Sequence, residues 1–200
     1  AIPKAHIADL HLKTLLDDSY TDAVLDLSVQ MALDPSVGAC SVSFELTDGG
    51  RLVASAACKA ETSLHVQLPV KAPKLWSSES PYLYDLLLTV RDADGRVLEA
   101  VPQRVGFRRF EMKDGMMHLN GKRIVFKGVN RHDFCTDSGR VVPVETLRRD
   151  LLTMKRNNIN AVRTCHYPNQ SLWYDLCDQN GIYMIDETNL ESHGSWDTAE

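Results

Sequence analysis

The side chains best suited to chemistry gather in the last third of this sequence. His132 and His166 each follow a short apolar run, and Glu187, Asn189, Glu191 and His193 follow a third. Imidazole changes charge near neutral pH, and carboxylates serve as bases, nucleophiles or oxygen ligands for hard cations. Arg163 stands at the end of the second run, where a buried guanidinium needs an acidic partner because an unpaired buried charge is very costly. A structural ion pair and an active-site clamp both meet that need. Glu191-Ser192-His193 sets a carboxylate and an imidazole on one side of an extended segment, a spacing able to chelate a divalent ion. Two ligands make a weak motif, and spacing alone leaves each histidine open between a hydrogen-bonded structural group and a catalytic one. Trp196, in a loop bearing Gly and Ser, is either a platform for a sugar face or an ordinary loop tryptophan. Trp76 and Trp173 read as core residues.

The elements that must position these groups change character near residue 108. Before it, hydrophobic side chains alternate with period two. Leu25, Leu27, Val29 and Met31 share one face, as do Val42, Phe44 and Leu46, and then Leu64, Val66, Leu68 and Val70. Asp48-Gly49-Gly50 and Asp94-Gly95 are turn signals, and Tyr84 to Val90 is a further strand. Short strands at this spacing predict a β-sandwich over residues 1–108, with the opening dozen residues unplaced. Asp114-Gly115 and Asn120-Gly121 predict a small meander between residues 107 and 124.

From there strand and helix alternate. Ile124–Val129 reads as a buried strand, and Pro143 opens a helix striped by Leu147, Leu151 and Met154. Asn157-Asn158 closes that helix, and Ala161-Val162-Arg163 is the next strand. Leu172, Trp173, Leu176 and Cys177 stripe a second helix, which Asn180-Gly181 ends, and Ile182–Ile185 is the third strand. The order β-α-β-α-β implies parallel strands, so His132, His166 and the acids after Ile185 all fall at carboxyl strand ends. In parallel α/β architectures those ends carry the active-site loops.

Composition narrows the class. The chain has 200 residues, 44% hydrophobic and 24% charged, with net charge −5 and no basic block, which excludes a nucleic-acid groove or an anionic membrane surface as the expected partner. No apolar run approaches a membrane span, and the amino terminus carries neither a signal-peptide core nor a start methionine. The five cysteines are scattered without a CxxC pair, which predicts reduced, packed thiols and a cytoplasmic protein.

Four ordered segments then resemble family 2 glycoside hydrolases. Leu75-Trp76-Ser77 with Pro81-Tyr82-Leu83-Tyr84 is similar to the L-W-S…P-x-L-Y strand of that family's immunoglobulin-like domain. Gly128-Val129-Asn130-Arg131-His132-Asp133 resembles its G-V-N-R-H-E/D motif, and residues 158–169 its N-x-N-A-V-R-x-x-H-Y-P-N segment. Residues 186–194 resemble the D-E-x-N-x-E-x-H-G segment of the β-galactosidase branch, a pair of metal ligands that the related β-glucuronidases lack. The resemblance is dense from about residue 70 to 195.

It implies a multi-domain chain: an all-β immunoglobulin-like sandwich over residues 1–108, then an incomplete (β/α) barrel segment over residues 109–200, the start of an eight-stranded TIM barrel. It implies that His132 and His166 contact galactose and support the transition state, that Arg163 orients the nucleophilic carboxylate, and that Glu191 and His193 are two ligands of an active-site Mg2+. The implied partner is a β-galactoside sugar, in a homo-oligomer. Phe134 and Cys135 stand where some members carry further histidines.

A retaining glycosidase needs two carboxyl groups about 5–5.5 Å apart. In the family resembled, the acid/base glutamate follows the fourth barrel strand and the nucleophile comes later still, beyond Glu200. Asp186, Glu187 and Glu191 are therefore declined for those roles, no catalytic carboxylate is assigned, and the 200-residue chain by itself is expected to be inactive. Two other readings are a β-glucuronidase or β-mannosidase relative, and a non-catalytic carbohydrate-binding or interaction module. The density of polar residues at the second-half strand ends argues against the module.

Overall fold

The structure, a computed structural model, describes residues 2–190 and divides the chain into two compact units. The first comprises Ala1–Ser77 and Tyr82–Arg123. Its strands β1 (Ala5–Leu16), β2 (Ala23–Leu33) and β5 (Ser63–Val70) form one antiparallel sheet in the order β1-β2-β5. Strands β3 (Ser41–Asp48), β4 (Arg51–Lys59), β6 (Tyr84–Arg91) and β7 (Val97–Val105) form a second, in the order β4-β3-β6-β7.

The period-two faces close on one another. Leu25, Leu27 and Val29 of the first sheet and Val42, Phe44, Leu46, Leu88 and Val90 of the second are all fully buried in a single core. The intervening residues face outward, as the pleat requires. This is the predicted sandwich.

The opening residues are a full strand. Along β1 the register with β2 shifts between Ile7 and Asp9, so a bulge separates Ile7 from Leu10 and Leu12 and breaks the alternation that would have shown the strand in the sequence. At the β3–β4 turn Gly49 and Gly50 both have positive φ, the pairing that a two-residue hairpin of this hand demands. At Asp94-Gly95 only Gly95 does, and the turn there joins β6 to β7 as an antiparallel hairpin.

Strands β8 (Phe110–Lys113), β9 (Met116–Leu119) and β10 (Lys122–Arg123) make the expected meander, with Asp114, Gly115, Asn120 and Gly121 all at positive φ. The meander belongs to the first compact unit. The fold thus parts after Arg123, later than the change of hydrophobic period at residue 108.

The second unit comprises Ser78–Pro81 and Ile124–Glu200. Strands β11 (Gly128–Arg131), β12 (Ala161–Thr164) and β13 (Tyr183–Ile185) lie parallel in that order, with helices α1 (Val144–Arg156) and α2 (Ser171–Asn180) between them. Leu147, Leu151 and Met154 of α1 pack with Val162, Trp173, Leu176, Cys177 and Ile182 in a separate core. Burial there pushes the Cys177 thiol up to about 12. All five cysteines are free.

The first strand of this unit departs from expectation. It begins at Gly128 rather than Ile124, and Val125 and Val129 are exposed instead of buried. The preceding segment is held from the side. Asn160 Oδ1 accepts from the Lys127 amide at 2.7 Å, and its Nδ2 donates to the Val125 carbonyl at 3.0 Å. A side-chain amide therefore does what a strand ladder would have done. Pro143 stands at the N-cap of α1, one place before its predicted position. Among the described residues no helix is long and apolar enough to cross a membrane.

Candidate functional site

Because β11, β12 and β13 run parallel, the residues that follow them emerge at one edge of the sheet. His132 follows Arg131, Cys165 and His166 follow Thr164, and Asp186 and Glu187 follow Ile185. In the β12–β13 register Arg163 lies opposite Ile185, so Glu187, two residues on and on the same face, is the acid within its reach.

The ion pair forms. Arg163 Nε donates to Glu187 Oε1 at 2.7 Å. The rest of the guanidinium fans out: Nη2 lies 3.2 Å from His166 Nδ1, and Nη1 lies 3.5 Å from both Asn130 Oδ1 and Cys165 Sγ. His166 Nδ1 is also 3.1 Å from Glu187 Oε2. One ring nitrogen cannot accept from Arg163 and donate to Glu187 in the same protonation state. With Nδ1 bare it takes the guanidinium N–H, and with Nδ1 protonated it gives that proton to Glu187. Arg163, foremost, and His166 hold the Glu187 carboxyl below its ordinary value, against a smaller opposing effect of burial.

His132 joins from the neighbouring loop. Its ring meets that of His166 edge to face, centroids 5.6 Å apart, and lies 6.0 Å from Tyr167, whose other neighbour is the Arg140 guanidinium at 4.7 Å. The structure therefore brings together His132 and His166, which the resemblance assigns to the sugar, and Arg163, which it assigns to orienting the nucleophile. It adds Glu187 as the partner that Arg163 required. The parallel register was the signal that could have joined those two. Glu191, His193 and Trp196 lie outside the described residues.

Beside this cluster Thr164 and Tyr174 tie down Asp186, a carboxylate declined for catalysis on the sequence. Thr164 Oγ1 donates to Asp186 Oδ1 at 3.1 Å and accepts the Glu187 amide at 2.9 Å. Tyr174 donates its hydroxyl to the same Asp186 oxygen at 2.8 Å and accepts the Asn169 amide at 3.1 Å. Asp186 thus fixes the start of the third loop, and Arg131 and Asp133 are buried under the first.

Cys165, His166 and Glu187 bring one ligand atom each within 4.8 Å of one another, the only such trio among the described residues. This trio does not fit Mg2+, which prefers oxygen donors to a thiol. The Arg163 guanidinium also already contacts all three, so the position for a cation is taken by a side chain of the chain itself.

Two family models divide the chain between them near residue 109, where the hydrophobic period changes. Residues 5–108 match the family model described as Glycosyl hydrolases family 2, and residues 110–200 match the model of that family's TIM barrel domain. The chain is 49% identical over 197 residues to a β-galactosidase of Halalkalibacterium halodurans, covering 98% of this chain and 19% of that protein. It is 46% identical over 196 residues to the β-galactosidase of Clostridium acetobutylicum, covering 98% of this chain and 22% of that one. It thus spans about a fifth of the length of these curated relatives. Among solved structures, a β-glucuronidase from Ruminococcus gnavus in complex with N1-substituted uronic isofagomine superposes with TM-score 0.82 at 28% identity, covering 94% of this chain and 31% of that one.

Proposed function

Because this chain belongs to glycosyl hydrolase family 2, an immunoglobulin-like sandwich followed by the opening of a TIM barrel, we propose that it builds one wall of the sugar pocket of a retaining β-galactosidase. The observation that carries the reading is the convergence of His132, Arg163 and His166 at one edge of the parallel sheet, with the two imidazoles 5.6 Å apart. In this reading the two histidines hydrogen-bond galactose hydroxyls and strengthen those bonds as charge develops on the sugar ring. Arg163, anchored through Nε by Glu187, orients the nucleophilic carboxylate. Glu191 and His193, an oxygen and a nitrogen donor after β13, are proposed to hold Mg2+, which when bound would fix and polarise acidic groups of the pocket. Asp186 and Glu187 are tied to Thr164, Tyr174, Arg163 and His166, which supports leaving them out of the pair of reacting carboxyls.

The likeness to β-glucuronidase structures favours a second reading, in which the pocket takes a uronic acid. The higher identity to β-galactosidases favours the first. The test is a segment exchange, with this chain replacing the matching 197-residue stretch of the H. halodurans protein. The chimera should hydrolyse a nitrophenyl β-galactoside in preference to the β-glucuronide. His166→Ala should lower kcat/KM by about 10²–10³, the usual loss when a preorganised transition-state donor is removed. A folded chimera that prefers the glucuronide, or is indifferent to His166→Ala, would refute the assignment.

A further inference from the structure

Arg131 lies at the carboxyl end of β11 with only 6% of its side chain exposed, too deep to touch a sugar. Its guanidinium holds four different pieces of the unit. Nη1 donates to Asp133 Oδ1 at 3.0 Å and to Asn169 Oδ1 at 2.8 Å, Nε donates to Asp150 Oδ2 at 3.2 Å, and Cζ stacks 4.1 Å over the Trp173 ring. Asp133 immediately follows His132, and Asn169 lies in the loop that carries His166. Asp150 belongs to α1 and Trp173 to α2. The second oxygen of Asp133 accepts the Gln170 amide at 3.3 Å, which closes a ring between the two histidine-bearing loops.

We propose that Arg131 is a positioning residue whose guanidinium braces the His132 loop against the His166 loop and so sets the contact between the two imidazoles. A buried cation between two carboxylates is weak evidence of net stability, since desolvation offsets most of the attraction. What such a cluster can supply is geometry. A planar fork fixes its acceptors in direction as well as distance, which a lysine ammonium does not. The brace rests on the sugar-wall reading only for what the histidines do, because the bracing contacts involve no sugar.

The experiment uses the isotopically labelled 200-residue chain and reads the ring-to-ring nuclear Overhauser effect between His132 and His166, beside a thermal melt. Arg131→Lys, which keeps charge and loses the fork, should leave a cooperative melt and abolish that cross-peak. Asn169→Ala, which removes the Arg131 link to the second loop together with the Nδ2 donation to the Tyr167 carbonyl and keeps both ion pairs, should abolish it too, and Asn169→Asp, which returns only the acceptor for Arg131, should restore it. If Arg131→Lys unfolds the unit, Asn169→Ala decides. A folded variant of either kind that keeps the cross-peak overturns the brace, even where its melting temperature falls. In the segment-exchanged enzyme Arg131→Lys should lower kcat by about 10²-fold, the scale expected for misplacement by an ångström, with KM little changed. A chimera without galactosidase activity would sink the sugar reading and leave the cross-peak test standing.

Discussion

At the scale of single residues, the site is organised by one cation. Arg163 gathers Glu187, His166, Cys165 and Asn130 around its guanidinium, so each neighbour's chemistry is set by what Arg163 takes from it. Glu187 shows this most directly, because its carboxyl is held below its ordinary value of 4.5, chiefly by Arg163. A carboxyl depressed in the folded chain contributes stability that is present above the unfolded value and is lost as pH falls through the folded one. Glu187→Gln should therefore lower stability at neutral pH, with the gap to the parent closing as pH falls below about 4.5 so that the acid limb flattens, as read from urea unfolding at a series of pH values. An unaltered acid limb would show the pair to be ornamental. The need of Arg163 for an acid was legible in the sequence, since an arginine ending an apolar strand cannot stay unpaired. The partner's identity was not, because it depends on which residues the parallel register sets side by side. Arg131 was less legible still: its motif points to His132, whereas Arg131's own role exists only once two loops and two helices meet around it.

Among the elements, those that the sequence announced share one property, an unbroken period with chemically marked ends. Strands β2 and β3 alternate without interruption, and α1 and α2 each bury a stripe at helical spacing. Where a second force intervenes, the pattern misleads. The bulge in β1 shifts its apolar phase, and the apolar run at Ile124–Val129 is stitched by Asn160 instead of entering the ladder where it begins. The marked end of α2 supports a sharper prediction. Gly181 caps it in the left-handed region at φ 68°, and a Cβ there would stand 2.3 Å from the Ser78 carbonyl oxygen, while Ser78 Oγ donates to the Gly181 carbonyl at 2.6 Å. Gly181→Ala must therefore bear about 1–2 kcal/mol for the left-handed backbone and also displace Ser78. Its denaturation midpoint should fall well below that of Asn180→Ala, which loses one side-chain bond to the Leu176 carbonyl. Equal midpoints for the two variants would mean that the cap is relaxed.

For the whole molecule, the separation into a sandwich core and an α/β core follows from the two hydrophobic periods, and each core closes on its own residues. They do not leave comparable surfaces. Among the described residues of the second unit β11 and β13 are both sheet edges, and Val125, Val129 and Ile185 on or beside them are 53%, 36% and 47% exposed. Unpaired strand edges bearing branched apolar side chains are templates for another chain, because backbone N–H and C=O groups and apolar area can be satisfied together. The partner always at hand in a purified sample is a second copy. Light scattering should therefore show the mean mass of this chain rising with concentration. Val129→Lys places a charge on the edge without touching the buried stripe of either helix and should suppress that rise. The same variant should leave the melting transition within a few degrees, since exposed substitutions away from caps and cores usually change stability by less than about 0.5 kcal/mol. A strictly monomeric chain whose β11 and β13 amides resist hydrogen exchange would show that these edges are protected within the single molecule, and edge pairing would then have no part in its assembly.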